Sequence, residues 1–241
     1  MFRHQGKNRT LNHNLKIASL LSFIAGMVNV AGFLAVQRLT TNVTGHFAFF
    51  VDEIFKLNFW LGLVYFLYIF FFFLGSFVSS LLIEVISRKN NHHAYTIPVL
   101  IECLILLYIA LQGPKLVMKS ADTIAFGLLF AMGLQNSLVT TISGASVRTT
   151  HLTGLFTDLG IEISQLFFYK ERGQRSKLIS SIKLRFTIIS FFFIGGITGG
   201  ILYSKMKLHT LLVAAILLII GVIYDSVKFR LIKIRRRIKT N

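Results

Sequence analysis

The sequence predicts an all-α polytopic membrane protein. Apolar residues make up 54% of the 241 residues and charged residues only 15%. Several apolar runs reach the roughly 20 residues that a helix needs to cross a bilayer. A short motif also occurs once in each half of the chain, which indicates an internal repeat. Together these observations favour a repeated bundle of membrane helices over a water-soluble core.

Six transmembrane helices are expected from the apolar runs. Each run is close to the length that covers about 30 Å of hydrocarbon at 1.5 Å per residue. The expected spans are approximately 16–36, 58–83, 95–111, 122–142, 184–203 and 208–227.

The distribution of basic residues predicts that both termini lie in the cytoplasm. Twenty of the 26 Lys and Arg residues occupy one alternate set of segments outside the spans, and six occupy the other set. Because cytoplasmic loops of membrane proteins carry the excess of positive charge, the richer set is predicted to be cytoplasmic. That set comprises the N-terminal arm through Lys16, residues 84–94, residues 143–185 and the tail from Lys228.

The basic tail directly follows the last expected span. A net charge of +17 would suggest nucleic-acid binding in a soluble chain. Basic residues next to a span are instead typical of a topology signal or of contact with anionic lipid. We therefore expect the lipid bilayer as a partner, with anionic lipid at the tail, and no nucleic acid.

The sequence contains no pattern of residues that predicts an enzyme or a cofactor. Cys103 is the only cysteine, so an internal disulfide or a cysteine-based metal site is excluded. A serine elbow, a helical His-x-x-x-His pair and a glycine-rich phosphate loop are all lacking. We expect no enzymatic activity, no cofactor and no bound metal.

The repeated motif reads TTNVTGHF at 40–47 and TTHLTGLF at 149–156, with five identical positions. The first copy contains Asn42-Val43-Thr44, which matches the acceptor pattern for N-linked sugar. The second copy has His151 in place of Asn42, while the threonines, the glycine and the phenylalanine are kept. The sugar-acceptor match is therefore interpreted as incidental.

Three further blocks repeat in the same order as the motif. Asn29 and Asn136 end matching segments of the first and fourth spans, and Glu53 and Glu162 each follow the motif glycine by eight residues. A Phe-Phe-Phe-x-Gly block recurs in the second and fifth spans. Because each unit holds three spans, an odd number, the second unit is predicted to be inverted relative to the first. The predicted divisions are an arm at 1–15, unit 1 at 16–112, an external linker at 113–121, unit 2 at 122–227 and a tail at 228–241.

Each motif is expected to interrupt the helical pattern after the first span of its unit. Threonine hydroxyls can satisfy backbone groups at such a break, and the apolar faces that come after it predict a broken or re-entrant short helix. A capped turn between two helices is the simpler interpretation, and one copy alone would favour it. Because a second copy is present and is predicted to be inverted, a binding site formed by both copies is about as well supported as the capped turn. Its candidate substrate-binding residues are Asn29, Thr40, Thr41, Thr44, Gly45, Glu53, Asn136, Arg148, Thr149, Thr150, Thr153, Gly154 and Glu162.

The two halves resemble the YoaK family of bacterial inner-membrane proteins, which is built around a domain of unknown function. The likeness is carried by residues 25–33 and 41–45 in the first half, and by 131–136 and 147–154 in the second. It covers roughly residues 15–228. The resemblance implies a bacterial cytoplasmic membrane as the location and implies no particular substrate.

Three classes of function are compatible with these patterns. The leading hypothesis is a small secondary transporter or permease for a small polar or anionic solute, with its site where the inverted repeats meet. A non-transporting scaffold or accessory protein is the alternative, in which the motifs only pack helices. A lipid-handling protein is the third. The oligomeric state is left open, and a homo-oligomer is one outcome.

Overall fold

The computed structural model describes residues 10–89 and 94–240, with the side chains of residues 89, 114, 119, 226 and 228–240 excepted. All regular structure in these ranges is helical. The N-terminal arm is therefore mostly outside the described residues, as are the side chains of the basic tail. The helices are α1 (Leu11–Val36), α2 (Thr44–Phe55), α3 (Phe59–Lys89), α4 (Thr96–Lys119), α5 (Ala121–Ser143), α6 (Leu152–Phe168), α7 (Arg172–Met206) and α8 (Thr210–Thr240), with a 3₁₀ turn at Lys207–His209 between the last two.

Among the described residues, five helical stretches are long and apolar enough to cross a membrane. The fifth covers 54 residues, Arg172–Asp225, and contains both α7 and α8. The two helices are separated only by the 3₁₀ turn, at which Lys207 has a φ of 51°. The six expected spans thus appear as five apolar stretches, because the last two follow each other without a polar gap.

α7 also begins well before the expected fifth span. The structure starts this helix at Arg172, whereas the apolar run starts at 184. Residues 172–183 are polar and basic, but they contain no proline, so the helical hydrogen bonding continues through them. An apolar pattern locates the part of a helix that suits lipid and does not locate the end of the helix.

Contacts between side chains and backbone define the directions of the long helices. α7 runs parallel to α1, because Phe23 lies against Gly195 and Met27 against Gly199. α5 runs antiparallel to α1, with the Gln135 amide bonded to the Leu21 carbonyl.

The other long helices follow the same two directions. α3 runs parallel to α5, with Tyr68 beside Phe126 near one end and Ser76 donating to the Gly133 carbonyl further along. α8 runs antiparallel to α4, with Gly113 against Leu208 and the Cys103 thiol near the Ala215 carbonyl. α4 is antiparallel to α5, because the two helices pack together and only Ser120 separates them along the chain. Thus α1, α4 and α7 point one way and α3, α5 and α8 the other.

Glycines let these helices approach backbone to backbone at two crossings. A Cβ on Gly26 of α1 would collide with the Phe192 carbonyl oxygen of α7. A Cβ on Gly133 of α5 would collide with the Phe72 carbonyl oxygen of α3. Small residues that allow such close approach are the usual packing device of membrane helices.

The two crossings match each other residue by residue. Gly26 and Gly133 occupy the same place in the sequence repeat, and so do Phe192 and Phe72. The reciprocal contacts match too, since Gly195 lies against the Phe23 carbonyl and Gly75 against the Phe130 carbonyl. Each contact from a residue of unit 1 to a residue of unit 2 therefore has a counterpart in which the two units have the opposite roles.

A short helix comes after the first long helix of each unit, as the motif predicts. α1 ends where Gln37 adopts the left-handed conformation, and α2 then starts at Thr44 inside the first motif. α5 ends at Gly144, which has a φ of 59°, and α6 starts at Leu152 inside the second motif. Both motifs thus form the entry to a short helix. Neither α2 nor α6 is among the five apolar stretches.

Replacement of Gly133 by alanine should destabilise the protein, because the added methyl group has no space against the α3 backbone. Overpacking of this kind costs about 1 to 3 kcal/mol. Thermal unfolding of purified protein in detergent measures the effect. Gly160→Ala in α6 is the matched control, since a Cβ there meets nothing within 4 Å. Equal unfolding temperatures for the two variants would contradict the close crossing.

Candidate functional site

Both copies of the motif line one cavity of about 950 Å³. This volume lies within the range of about 300 to 1,000 Å³ that is typical of small-molecule sites. The cavity lies where α1, α3, α5 and α7 meet the entries of α2 and α6. Its walls contain many residues in repeat-related pairs, which are Asn29 with Asn136, Thr41 with Thr150, Asn42 with His151, Val43 with Leu152, Thr44 with Thr153, Gly45 with Gly154 and Phe72 with Phe192.

An asparagine and a threonine tie each motif loop to the long helix before it. In unit 1 the Thr41 hydroxyl donates to Asn29 Oδ1 at 2.7 Å. In unit 2 the Asn136 amide donates to Thr150 Oγ1 at 2.7 Å, and the Thr149 hydroxyl donates to Asn136 Oδ1 at 3.1 Å. A side-chain amide inside a helix bundle is costly unless it is bonded. These bonds explain why Asn, and not an apolar residue, stands at both places.

The two amides are not equally satisfied. Asn136 Nδ2 has a second acceptor in the Met132 carbonyl, so both of its polar atoms are bonded. Asn29 uses only Oδ1 among the described residues, which leaves its Nδ2 group available at the cavity wall. The nearby Asn42 accepts from the Gly45 backbone N–H through Oδ1, and its amide group also donates to no described residue.

The charges of the cavity come from unit 2 alone. Arg148 and Asp158 line the wall, and the repeat-equivalent positions in unit 1 are Leu39 and Phe49. Asp158 forms an ion pair with Arg185 of α7 at 3.3 Å.

A different contact occupies the equivalent place in unit 1. Phe49 stacks on Tyr65 of α3, with ring centroids 5.2 Å apart. Tyr65 is the repeat equivalent of Arg185, which pairs with Asp158 in unit 2. The same helix-to-helix contact is therefore ionic in one unit and aromatic in the other.

Nine of the thirteen residues predicted from the sequence line the cavity, and four do not. Thr40 is fully buried, and its Oγ1 lies against Gly32 of α1. Thr149 is buried and accepts a hydrogen bond from the Gln135 amide at 3.1 Å. Thr149 thus ties its loop to α5, whereas the Thr40 hydroxyl is packed without a hydrogen-bond partner among the described residues.

The two predicted glutamates also lie away from the cavity, where each links a short helix to a later segment of the chain. Glu53 accepts from the Asn58 side chain at 3.0 Å and lies 3.9 Å from Lys56. Glu162 pairs with Arg185 at 3.0 Å and accepts from the Ser181 hydroxyl at 2.6 Å. Their shared spacing from the motif glycine thus corresponds to a shared structural position.

Several cavity residues were missed by sequence reasoning. The repeat does pair Phe72 with Phe192, so their matching places were visible, but nothing in the pattern distinguished a cavity wall from a lipid-facing surface. Asp158 has no acidic partner at its equivalent position in unit 1, so the repeat did not mark it. The residues that were missed are Leu39, Asn42, Val43, Phe72, Thr140, His151, Leu152, Thr157, Asp158 and Phe192.

A polar cluster outside the cavity fastens α2 to the long helices. The Tyr68 hydroxyl donates to Asp122, and Arg38 lies 3.8 Å from the same carboxylate. His46 is buried, bonds through Nε2 to the Leu39 carbonyl at 2.7 Å and lies beside the Tyr68 ring at 4.6 Å. Burial lowers the pKa of His46, and the nearby Arg38 charge lowers it further against the opposing effect of that backbone bond. The ring is thus held neutral, with Nε2 as the donor.

The described residues contain no group of three or more His, Cys, Asp or Glu side chains that could hold a metal ion. Glu102 of α4 is a separate acid that is fully buried, and neither of its carboxylate oxygens has a partner among the described residues. It does not line the cavity.

Replacement of Thr41 by valine should destabilise the protein by about 1 kcal/mol, the magnitude typical of hydrogen bonds between membrane helices. The change leaves Asn29 Oδ1 without its only donor among the described residues. Thr187→Val is the control, because the Thr187 hydroxyl bonds only to the Lys183 carbonyl of its own helix. Chemical or thermal unfolding in detergent compares the two. Equal losses would show that the Asn29–Thr41 bond does not hold the loop.

His46 should make the protein less stable as the pH falls below about 6.5, the ordinary histidine pKa. In that range the unfolded chain binds a proton that the folded chain does not, at about 1.4 kcal/mol per pH unit until the folded ring titrates. Unfolding temperatures at pH 7.5 and 5.5 test this, with His46→Gln as the comparison. A variant with the same pH dependence as the native protein would contradict the buried neutral ring.

Comparison with known proteins finds one family, for which no activity is named. No curated protein and no solved structure is significantly similar to the chain. A family model described as a protein of unknown function, DUF1275, matches residues 17–224. This match includes both motifs, the cavity and all eight helices at least in part. The chain therefore belongs to the DUF1275 family, whose members share a domain of unknown function.

Proposed function

We propose that this protein is a small secondary transporter or permease with six transmembrane helices arranged as two inverted repeats. The cavity between the two motifs is its solute site, and the solute is small and polar or anionic. In this proposal the protein lies in a bacterial cytoplasmic membrane with both termini in the cytoplasm, as the YoaK resemblance and the basic segments suggest.

The helix directions support six crossings. α7 runs with α1, and α8 runs against α4, so the single 54-residue apolar stretch turns back on itself at Lys207. A straight helix of that length would extend about 80 Å, far beyond a bilayer. Two separate crossings by α7 and α8 account for both observations.

The shared cavity carries the functional proposal. Inverted-repeat transporters place their site where equivalent interrupted helices of the two repeats meet. Here Thr44–Gly45 and Thr153–Gly154 lie on the walls of one cavity, together with Asn29 and Asn136. Irregular backbone at membrane depth is tolerated where it lines such a cavity.

The matched crossings supply a mechanism for movement. In this proposal one unit rocks against the other about the two crossings, whose glycine contacts are equivalent. The contacts that hold α2 and α6 differ, one aromatic and one ionic. In this proposal they close the two ends of the pathway in turn.

A non-transporting scaffold remains the second candidate, and the glycine crossings favour it, because they pack the bundle closely through backbone contacts. A scaffold has no need for a polar cavity with unused hydrogen-bond donors. The bilayer is the partner in either case. Anionic lipid at the basic tail is part of the proposal for both candidates, and the oligomeric state is independent of it.

Transport can be tested by electrical recording from proteoliposomes on a solid-supported membrane. The probes are sodium acetate, sodium lactate, sodium phosphate, glycine and urea, each applied as a concentration jump. We expect a saturable signal or, for a neutral exchange, a matching uptake of radiolabelled probe. Combined Thr44→Val and Thr153→Val replacement should lower it at least tenfold, because both hydroxyls lie on the cavity wall.

Thr198→Val is the matched control for this experiment, since its hydroxyl bonds only to the Ile194 carbonyl of its own helix. Its signal should equal that of the native protein. Full transport by the double variant would contradict the cavity as the site. Absence of flux for every probe, with protein correctly inserted, would favour the scaffold.

A further inference from the structure

We infer that the cavity selects a small organic carboxylate, with its oxyanion group held by Arg148 in unit 2 and its apolar part directed toward unit 1. This inference rests on the proposed function and specifies the class of solute.

The first step is that the exposed Arg148 guanidinium has no charged or hydrogen-bonding partner among the described residues. Arg148 lines the cavity and forms no ion pair or hydrogen bond with any described residue. Asp158 also lies on the wall, where its Oδ2 is 3.3 Å from Arg185, a side chain that pairs with Glu162 as well. A guanidinium group carries five donors in a planar fork that matches a carboxylate in two parallel hydrogen bonds.

The second step is that two side-chain amides and one hydroxyl of the wall keep unused donors. Asn29 Nδ2 and Asn42 Nδ2 donate to no described residue, whereas Oδ1 of both residues is already bonded. The Thr150 oxygen accepts from Asn136, which leaves its own hydroxyl hydrogen free to donate. Together with the Arg148 guanidinium, these donors can pair with the oxygen acceptors of a solute.

The third step is that the charge is confined to one side. The position that holds Arg148 in unit 2 holds Leu39 in unit 1, and the position of Asp158 holds Phe49. Leu39 thus gives unit 1 an apolar contact where unit 2 has a charge, beside the amides of Asn29 and Asn42. A solute with one oxyanion group and an apolar remainder fits this arrangement better than a symmetrical, fully hydrated inorganic anion.

Binding to the full-length protein in detergent tests the inference directly. The probes are sodium acetate, lactate and benzoate in one arm, and sodium phosphate and sulfate in the other. Chloride keeps the ionic strength constant, and urea serves as the neutral probe. Unfolding temperature against concentration gives Kd for each probe, because a ligand that binds only the folded state stabilises it by mass action.

The expected result is a rise in unfolding temperature with the carboxylates, strongest for those with an apolar part. Arg148→Gln should raise Kd at least tenfold, equivalent to about 1.4 kcal/mol. Arg148→Lys should bind at an intermediate Kd, since it keeps the charge without the planar fork. Arg175→Gln is the matched control, because Arg175 is exposed on α7 and lies outside the cavity.

Each other outcome overturns a stated part of the inference. Carboxylate binding that persists in Arg148→Gln removes Arg148 from the site. Phosphate or sulfate binding as tight as that of benzoate refutes the apolar end, and no response to any carboxylate refutes the solute class. Arg148 makes no contact that holds the fold, so the variant should unfold at the native temperature without probe, which separates lost binding from misfolding.

The test also separates this inference from the proposed function. Carboxylate binding without flux in proteoliposomes would refute the transport function and still support the binding site. Saturable flux of urea without carboxylate binding would support transport and refute the solute class.

Discussion

Close backbone contact at two glycine crossings is the constraint on which the rest of the structure depends. α1 meets α7 at Gly26, and α5 meets α3 at Gly133, in both cases with no space for a Cβ. Lipid is as apolar as the helix surfaces, so such packing, together with hydrogen bonds, is what holds membrane helices together. The crossings bring the ends of α1 and α5 together, and with them the two motif loops.

The cavity results from these crossings and from the bonds that fasten the loops above them. Each loop is tied back to its own long helix through an asparagine, Asn29 or Asn136. Each loop leads into a short helix, α2 or α6, and the space between the two loops is not filled by regular helix. A gap remains at the place where the two units meet, and its walls hold eight residues of unit 1 and eleven of unit 2.

The two sequence repeats make matching backbone contacts but differ in side-chain chemistry. Backbone-level features recur, including the glycines, the phenylalanine carbonyls and the threonines of the motif. Side chains that carry charge do not recur. The place of Arg148 in the second repeat is taken by a leucine in the first, and the place of the Arg185 ion pair by an aromatic stack. Shape symmetry suits a site that opens to either side, and chemical asymmetry suits a solute with two different ends. Both properties are compatible with the proposed transport of an organic anion.

The sequence by itself determined the helical, membrane-like class, the sequence repeat, the breaks at the motifs and most of the long helices. These features depend on the local pattern of residue types and on the length of each apolar run. It also identified Asn29 and Asn136, since an amide within an apolar run needs a partner. Only the tertiary structure decided which repeated residues share the cavity. Glu53 and Glu162 recur in the sequence repeat just as the motif threonines do. Both glutamates nevertheless pair with neighbouring side chains away from the cavity. Spacing along the chain records structural equivalence, whereas membership of a site depends on the direction in which each side chain points once the helices have packed.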